Sequence, residues 1–128
     1  MEHRAISRRP FIGSRNFVMS RSFYRDLGFQ EVELTASLSL FKSGDFGFYL
    51  QDAYVKDWID NTMVFMEVKD VPRFWNDLIA LQLPEKYDGV RLVPIREETW
   101  GRECFVHDPS GVLWHFGEFH NKGETITR

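Results

Sequence analysis

Residues 100–119, WGRECFVHDPSGVLWHFGEF, decide how this chain is read. At their centre Asp108-Pro109-Ser110-Gly111 has proline at the second turn position, where its fixed φ suits a type I turn, and glycine at the fourth. Before the turn Cys104-Phe105-Val106 is apolar and partly β-branched, and after it Val112 to Phe119 alternates with period two. The stretch predicts a hairpin of two strands. One face of its second strand carries Val112, Trp114, Phe116 and Glu118, and the other carries Leu113, His115, Gly117 and Phe119. The first set is bulky enough for a core. The second, with a histidine beside a glycine, is less crowded and suits the wall of a cavity.

Upstream, elements come twice in the same order. Arg9 to Ser14 is a short strand, Asn16 caps a helix running to about Leu27, and Gly28 stands where a helix stops. Phe29–Thr35, Ser37–Lys42 and Phe46–Gln51 follow as strands, with a hairpin signal at Ser43-Gly44-Asp45. A polar crossover holding Tyr54 and Trp58 leads to a strand at Met63–Val68. A helix at Val71–Leu81 comes next, capped by Asp70 with Pro72 in its first turn. Val90–Ile95 is a weaker strand, and the hairpin completes the series. Each half reads β-α-β-β-β, and the helices end in related words, FYRDL at 23–27 and FWNDL at 74–78. Such a repeat implies two similar modules sharing one core, because neither could bury its apolar strand face alone. The expected layout is one α+β domain. It has a module at about 9–51, a linker at 52–61, a second module at about 62–119 and a loose tail at 120–128.

Composition narrows the function classes. The chain has 128 residues, 43% hydrophobic and 16% aromatic, with twelve Phe, four Trp and four Tyr. Aromatics at this density serve ligand clefts and interfaces as well as cores. A net charge of −3 gives no reason to expect nucleic acid or an anionic membrane as partner. Arg4, Arg8, Arg9 and Arg15 form a local basic start that reads as a solvated face. No run reaches membrane-spanning length and the start lacks a signal-like apolar segment, so a cytoplasmic setting is expected. Cys104, alone, allows no internal disulfide and no CxxC knuckle; between large apolar residues it reads as a buried, inert thiol.

The two βαβββ modules, the FYRDLGF helix end and the WGRECFVHDPSGVLWHFGE ending resemble the vicinal oxygen chelate superfamily, which includes glyoxalase I, extradiol dioxygenases and the fosfomycin- and bleomycin-resistance proteins. The likeness covers roughly residues 9–119. It is strongest to the bleomycin-resistance proteins, which carry an Asp-Asn-Thr run before the fifth strand, as at Asp60-Asn61-Thr62, and a Trp-Gly-Arg-Glu run before the last hairpin, as at Trp100 to Glu103. The resemblance implies a curved mixed sheet around a cleft. It also implies, for the enzymes, a divalent metal held by two side chains from each module.

Those metal positions map onto Arg9, Gln51, Met63 and His115. His115 is an ordinary ligand, whereas Met is a soft thioether, Gln a weak neutral donor, and Arg donates no lone pair. Tyr49 or Glu67 enters the set only if the register slips. No metal and no other cofactor is therefore expected, and no nucleophile elbow, phosphate loop or other catalytic constellation replaces the missing Lewis acid.

What remains is a cavity lining. Strand parity assigns Ile12, Leu38, Leu40, Phe46, Phe48, Leu50, Val64, Met66, Val68, Trp114 and Phe116 to the core. The opposite parity gives Arg9, Phe11, Ser39, Phe41, Tyr49, Gln51, Met63, Phe65, Glu67, Glu103, Phe105 and His115, a mixture suited to a flat ligand oriented by a few hydrogen bonds. From these, with Trp58 and Trp100 added from the family likeness, the expected ligand-binding residues are Phe41, Tyr49, Gln51, Trp58, Met63, Phe65, Glu67, Trp100, Glu103, Phe105 and His115. The favoured reading is a bleomycin-resistance-like protein that sequesters a small aromatic, partly cationic molecule, such as a bleomycin-type drug, as a homodimer. Two alternatives stay open. One is a metal-dependent glyoxalase or dioxygenase relative, and the other is a module whose aromatic face is a dimer interface and nothing more.

Overall fold

Asn16 and Asp70 start the two long helices as the sequence predicts: the Asn16 side chain accepts from the Met19 N–H and that of Asp70 from the Arg73 N–H. The structure, a computed structural model, describes residues 1–120. The expected tail beyond His120 lies outside the described residues. The first module consists of β1 (Phe11–Gly13), α1 (Phe17–Asp26), β2 (Gln30–Thr35), β3 (Leu38–Ser43) and β4 (Phe46–Gln51). After a linker with a short helix, α2 (Lys56–Asp60), the second consists of β5 (Met63–Glu67), α3 (Val71–Ala80), α4 (Leu83–Lys86), β6 (Arg91–Glu97), β7 (Gly101–His107) and β8 (Leu113–Phe119). The sequence reading lacked α2 and α4. Both are single turns without a side-chain cap, and α4 is entered through Gln82 at φ +54°, so neither carries an N-cap signal.

The strands form two four-stranded sheets, ordered β1-β4-β3-β2 and β5-β8-β7-β6. In each, the first strand runs parallel to the last while the other neighbours are antiparallel, so both sheets are mixed and the α+β expectation holds.

Each sheet buries one face. Ile12, Phe48 and Leu50 meet Phe23 and Tyr24 of α1, with the Tyr24 ring 4.9 Å from Phe48. On the other sheet Phe116 stacks on Phe74 of α3 at 4.5 Å. The two helix-covered faces meet in one core through Trp114, whose ring lies 5.4 Å from Phe48 and 5.7 Å from Tyr24. A buried polar chain ties the modules at the same place. Trp114 Nε1 donates to Tyr24 Oη at 2.9 Å, and that hydroxyl donates to Asp108 Oδ2 at 2.6 Å. With both helix sides turned inward, the opposite faces of the two sheets remain open.

One expected set of orientations is corrected. Phe41 pairs directly with Phe48, and Ser39 with Leu50, so Ser39 and Phe41 share the helix-covered face and both are fully buried. Leu38 and Leu40, expected in the core, pair with Gln51 and Tyr49 and lie on the open face. A one-residue change of parity moves a whole strand's side chains across the sheet. With Leu38 and Leu40 on one parity and Phe41 on the other, the run carries bulky apolar residues on both faces and so does not declare its buried one. Phe46, also expected in the core, is 77% exposed at the end of the β3–β4 hairpin.

Candidate functional site

The open face of the second sheet is set by the turn that precedes β8. Asp108 Oδ1 accepts the N–H groups of Ser110, Gly111 and Val112 at 2.8, 2.8 and 2.9 Å, and Gly111 takes φ +110°, a conformation natural to glycine. That clamp fixes the β7–β8 register, which places Phe105 opposite His115 and Glu103 opposite Gly117. Parallel β5 adds Phe65 beside His115 and Glu67 beside Gly117, while β6 adds Val93 beside Phe105 and Arg96 beside Glu103. Two rows result: Phe65-His115-Phe105-Val93 and Glu67-Gly117-Glu103-Arg96.

Gly117 makes the second row hollow. A Cβ built there would stand 2.7 Å from the Phe65 ring and 3.2 Å from that of Trp100, so both rings occupy the space a side chain would take. Phe65, Trp100 and Phe119 form an aromatic cluster with centroid separations of 5.3 to 5.8 Å. His115 lies at its edge, 6.4 Å from Phe65 and 5.0 Å from Phe105. Its Nδ1 is 2.8 Å from Glu103 Oε1, and Glu103 is buried. With neutral imidazole the Nδ1–H donates to the carboxylate, which leaves Nε2 as an acceptor. Arg96 covers the far side of the row, its guanidinium 5.7 Å from the Phe105 ring.

The open face of the first sheet holds Phe11, Tyr49, Leu40 and Val32 in one row and Gly13, Gln51 and Leu38 in the next. Phe11 lies 4.9 Å from the Tyr49 ring, and Arg9 reaches across with its guanidinium 6.0 Å from the same ring.

Of the residues expected from sequence, the structure thus brings Phe65, Trp100, Glu103, Phe105 and His115 together, with Glu67 and Met63 on the same face. Tyr49 and Gln51 sit on the other sheet's open face. Phe41 is in the core, and Trp58 stands 71% exposed on α2. Phe119 and Arg96 join the site without having been candidates. The period-two pattern had already put Phe119 beside His115, whereas Arg96 follows a register shift between Val93 and Arg96 that parity counting does not detect.

The superfamily's metal does not fit this donor set. Arg9 and Met63 supply no hard ligand, and Gln51 is a weak neutral donor, so His115 stands as one ordinary ligand among the four mapped positions. Among the described residues no group of three or more His, Cys, Asp or Glu converges as a metal site. Cys104, also on β7, is buried on the helix-covered face, and burial pushes its thiol up to about 11, away from nucleophile chemistry. No helix among the described residues is long and apolar enough to cross a membrane.

No protein-family model matches the sequence, and no curated protein does. Solved structures do match in shape. A bleomycin-binding protein complexed with bleomycin superposes with a TM-score of 0.73 at 20% identity, over 89% of this chain and 98% of that one. The bleomycin-binding protein of Streptomyces verticillus complexed with copper(II)-bleomycin gives 0.67 at 23%, over 90% and 97%. Lactoylglutathione lyase from Agrobacterium tumefaciens gives 0.67 at 18%, over 91% and 95%. These matches, over nearly the full length of each chain, show that the chain has the fold of those proteins, the vicinal oxygen chelate fold.

Proposed function

We propose that this chain is a cytoplasmic small-molecule-binding protein of the bleomycin-resistance type, which acts by holding its ligand non-covalently. The observation that carries this reading is the uncovered apolar surface of the two open faces. Phe11 is 58% exposed on edge strand β1, and Met63 65% and Phe65 44% on edge strand β5, each paired in register on its inner side with β4 or β8. A contiguous apolar surface beside oriented polar groups is a binding surface more often than a solvated one. Trp100, Phe65 and Phe119 supply stacking surface, and His115 Nε2 supplies a directed acceptor. The carboxylates of Glu67 and Glu103 favour a ligand with a cationic part. The family likeness supports a homodimer in which open faces of two copies wall each cleft.

Tryptophan fluorescence tests this, since Trp100 sits in the cluster. Titration with bleomycin is expected to change the emission saturably and to raise the melting temperature. No change in either at concentrations far above micromolar removes the reading.

A metal-dependent enzyme is the second reading, and the His115–Glu103 bond favours it, because a carboxylate often orients a metal-bound imidazole in this way. Metal analysis of protein purified without chelator decides. Stoichiometric zinc, nickel, manganese or iron that disappears in His115→Ala would replace sequestration by catalysis.

A further inference from the structure

The open face of the first sheet carries positive charge that no carboxylate among the described residues neutralises. Lys42 on β3 pairs directly with Gly47 on β4 and is half-buried on the open face. Arg9 arrives at the same spot from the other side. A Cβ on Gly47 would be 3.4 Å from Arg9 Nε, a van der Waals contact that places the guanidinium over Gly47. Arg9 Nη1 is 3.4 Å from Tyr49 Oη, and its Nε is buried without a hydrogen-bond partner. No ion pair joins Arg9 or Lys42 to a carboxylate among the described residues. The acidic residues of the adjacent strand do not help. Glu31 and Glu33 pair in register with Phe41 and Ser39 on the opposite face, where Arg21 binds both and Arg25 binds Glu31.

We infer that Arg9, Lys42 and the Tyr49 hydroxyl form an oxyanion subsite that takes a carboxylate or phosphate group of a small aromatic ligand. A guanidinium fork presents parallel donors to such a group, and an ammonium beside it adds a point charge. Phe11 and Tyr49, in ring contact next to the cations, provide the apolar wall on which an aryl group rests. A buried guanidinium donor without an acceptor is rare in folded proteins. The subsite extends the sequestration reading by giving the trapped molecule an anionic end, opposite in sign to the Glu67 and Glu103 side of the other sheet.

Phenyl phosphate, with phenol as its neutral counterpart, tests the inference by amide NMR titration of the whole chain. Phenyl phosphate is expected to shift the Lys42, Gly47 and Tyr49 amides saturably and to bind about tenfold or more tighter than phenol. Arg9→Gln and Lys42→Gln, checked for folding by circular dichroism, are each expected to weaken it about fivefold or more and to flatten its salt dependence. Equal affinity for phenol, or unchanged affinity in both variants, overturns the subsite. The bleomycin titration is independent of this result: its failure removes sequestration while a phenyl phosphate response confined to these amides keeps the anion site.

Discussion

The imidazole of His115 and the carboxylate of Glu103 meet diagonally across the β7–β8 pair, 2.8 Å apart, with Glu103 buried and His115 half-buried on the open face. Directly opposite partners on that face are Phe105 for His115 and Gly117 for Glu103, so the bond crosses one register step along the β7–β8 pair. Its consequence is a fixed tautomer. In wild-type protein at a pH where the ring is neutral, long-range 15N–1H correlation should show the proton on Nδ1 and a bare Nε2. In Glu103→Ala the ring should revert to the mixture of free imidazole, and bleomycin affinity should fall about tenfold, or about 1.4 kcal/mol, the scale of one directed hydrogen bond. An unchanged tautomer in the variant would remove Glu103 as the orienting group.

Two glycines of the hairpin should behave oppositely when given a methyl group. At Gly101 a Cβ would lie 1.9 Å from the Glu118 carbonyl oxygen, and backbone cannot step aside. Gly101→Ala should cost more than about 3 kcal/mol in urea denaturation, beyond the usual range of overpacking. At Gly117 the clash is with the ring ends of Phe65 and Trp100, which can swing outward because Phe65 is part-exposed. Gly117→Ala should therefore fold, lose less than about 1.5 kcal/mol, and shift the tryptophan emission as Trp100 moves. If Gly117→Ala binds bleomycin as wild type does, the aromatic cluster is not the ligand surface.

Most of the scaffold was legible because its signals are local. Asn16 and Asp70 announce helices by their side-chain acceptors, and Asp108-Pro109-Ser110-Gly111 announces the turn that aligns Phe105 with His115. The placement of Phe41 was not legible. Its strand has large apolar residues on both faces, Leu38 and Leu40 on one and Phe41 on the other, and which face meets α1 is settled by pairing with Phe48, a contact made across a hairpin and not along a sequence. Arg96 was hidden for a related reason, since an irregularity between Val93 and Arg96 resets the alternation. The partner of His115 was nearly visible: both residues fell in the same parity set, but their hydrogen bond depends on the inter-strand register, which composition does not encode.

Glu31 gives a pH dependence of defined sign. Burial by itself pushes its carboxyl up, but hydrogen bonds from Arg21, Ser39 and Arg25 outweigh that and hold it below the usual carboxylate range. A carboxyl with a depressed folded value stabilises the fold above its unfolded value, and that contribution is lost as pH falls through the folded one. Wild type should be more stable than Glu31→Gln near neutral pH, and the gap should close as the pH is lowered from about 5 toward about 3. A constant gap across that range would mean that the variant acts through packing against Phe41 and not through charge.

The exposed apolar row makes a prediction about assembly that needs no ligand. Met63 and Phe65 alternate along β5 with Val64 and Met66, and it is the outward pair that is exposed. If two copies cover these faces, an aspartate at either position places an ionised group in a dry interface while leaving the folded chain solvated. Met63→Asp and Phe65→Asp should then sediment as monomers at concentrations where wild type sediments as a dimer, with unchanged far-ultraviolet circular dichroism. Bleomycin binding should weaken in step with dimer loss if, as proposed, each cleft draws a wall from each copy. A wild type that is monomeric at about 100 μM, above the micromolar-to-picomolar range of standard-sized interfaces, would leave the cleft to one chain and remove the shared wall from the proposal.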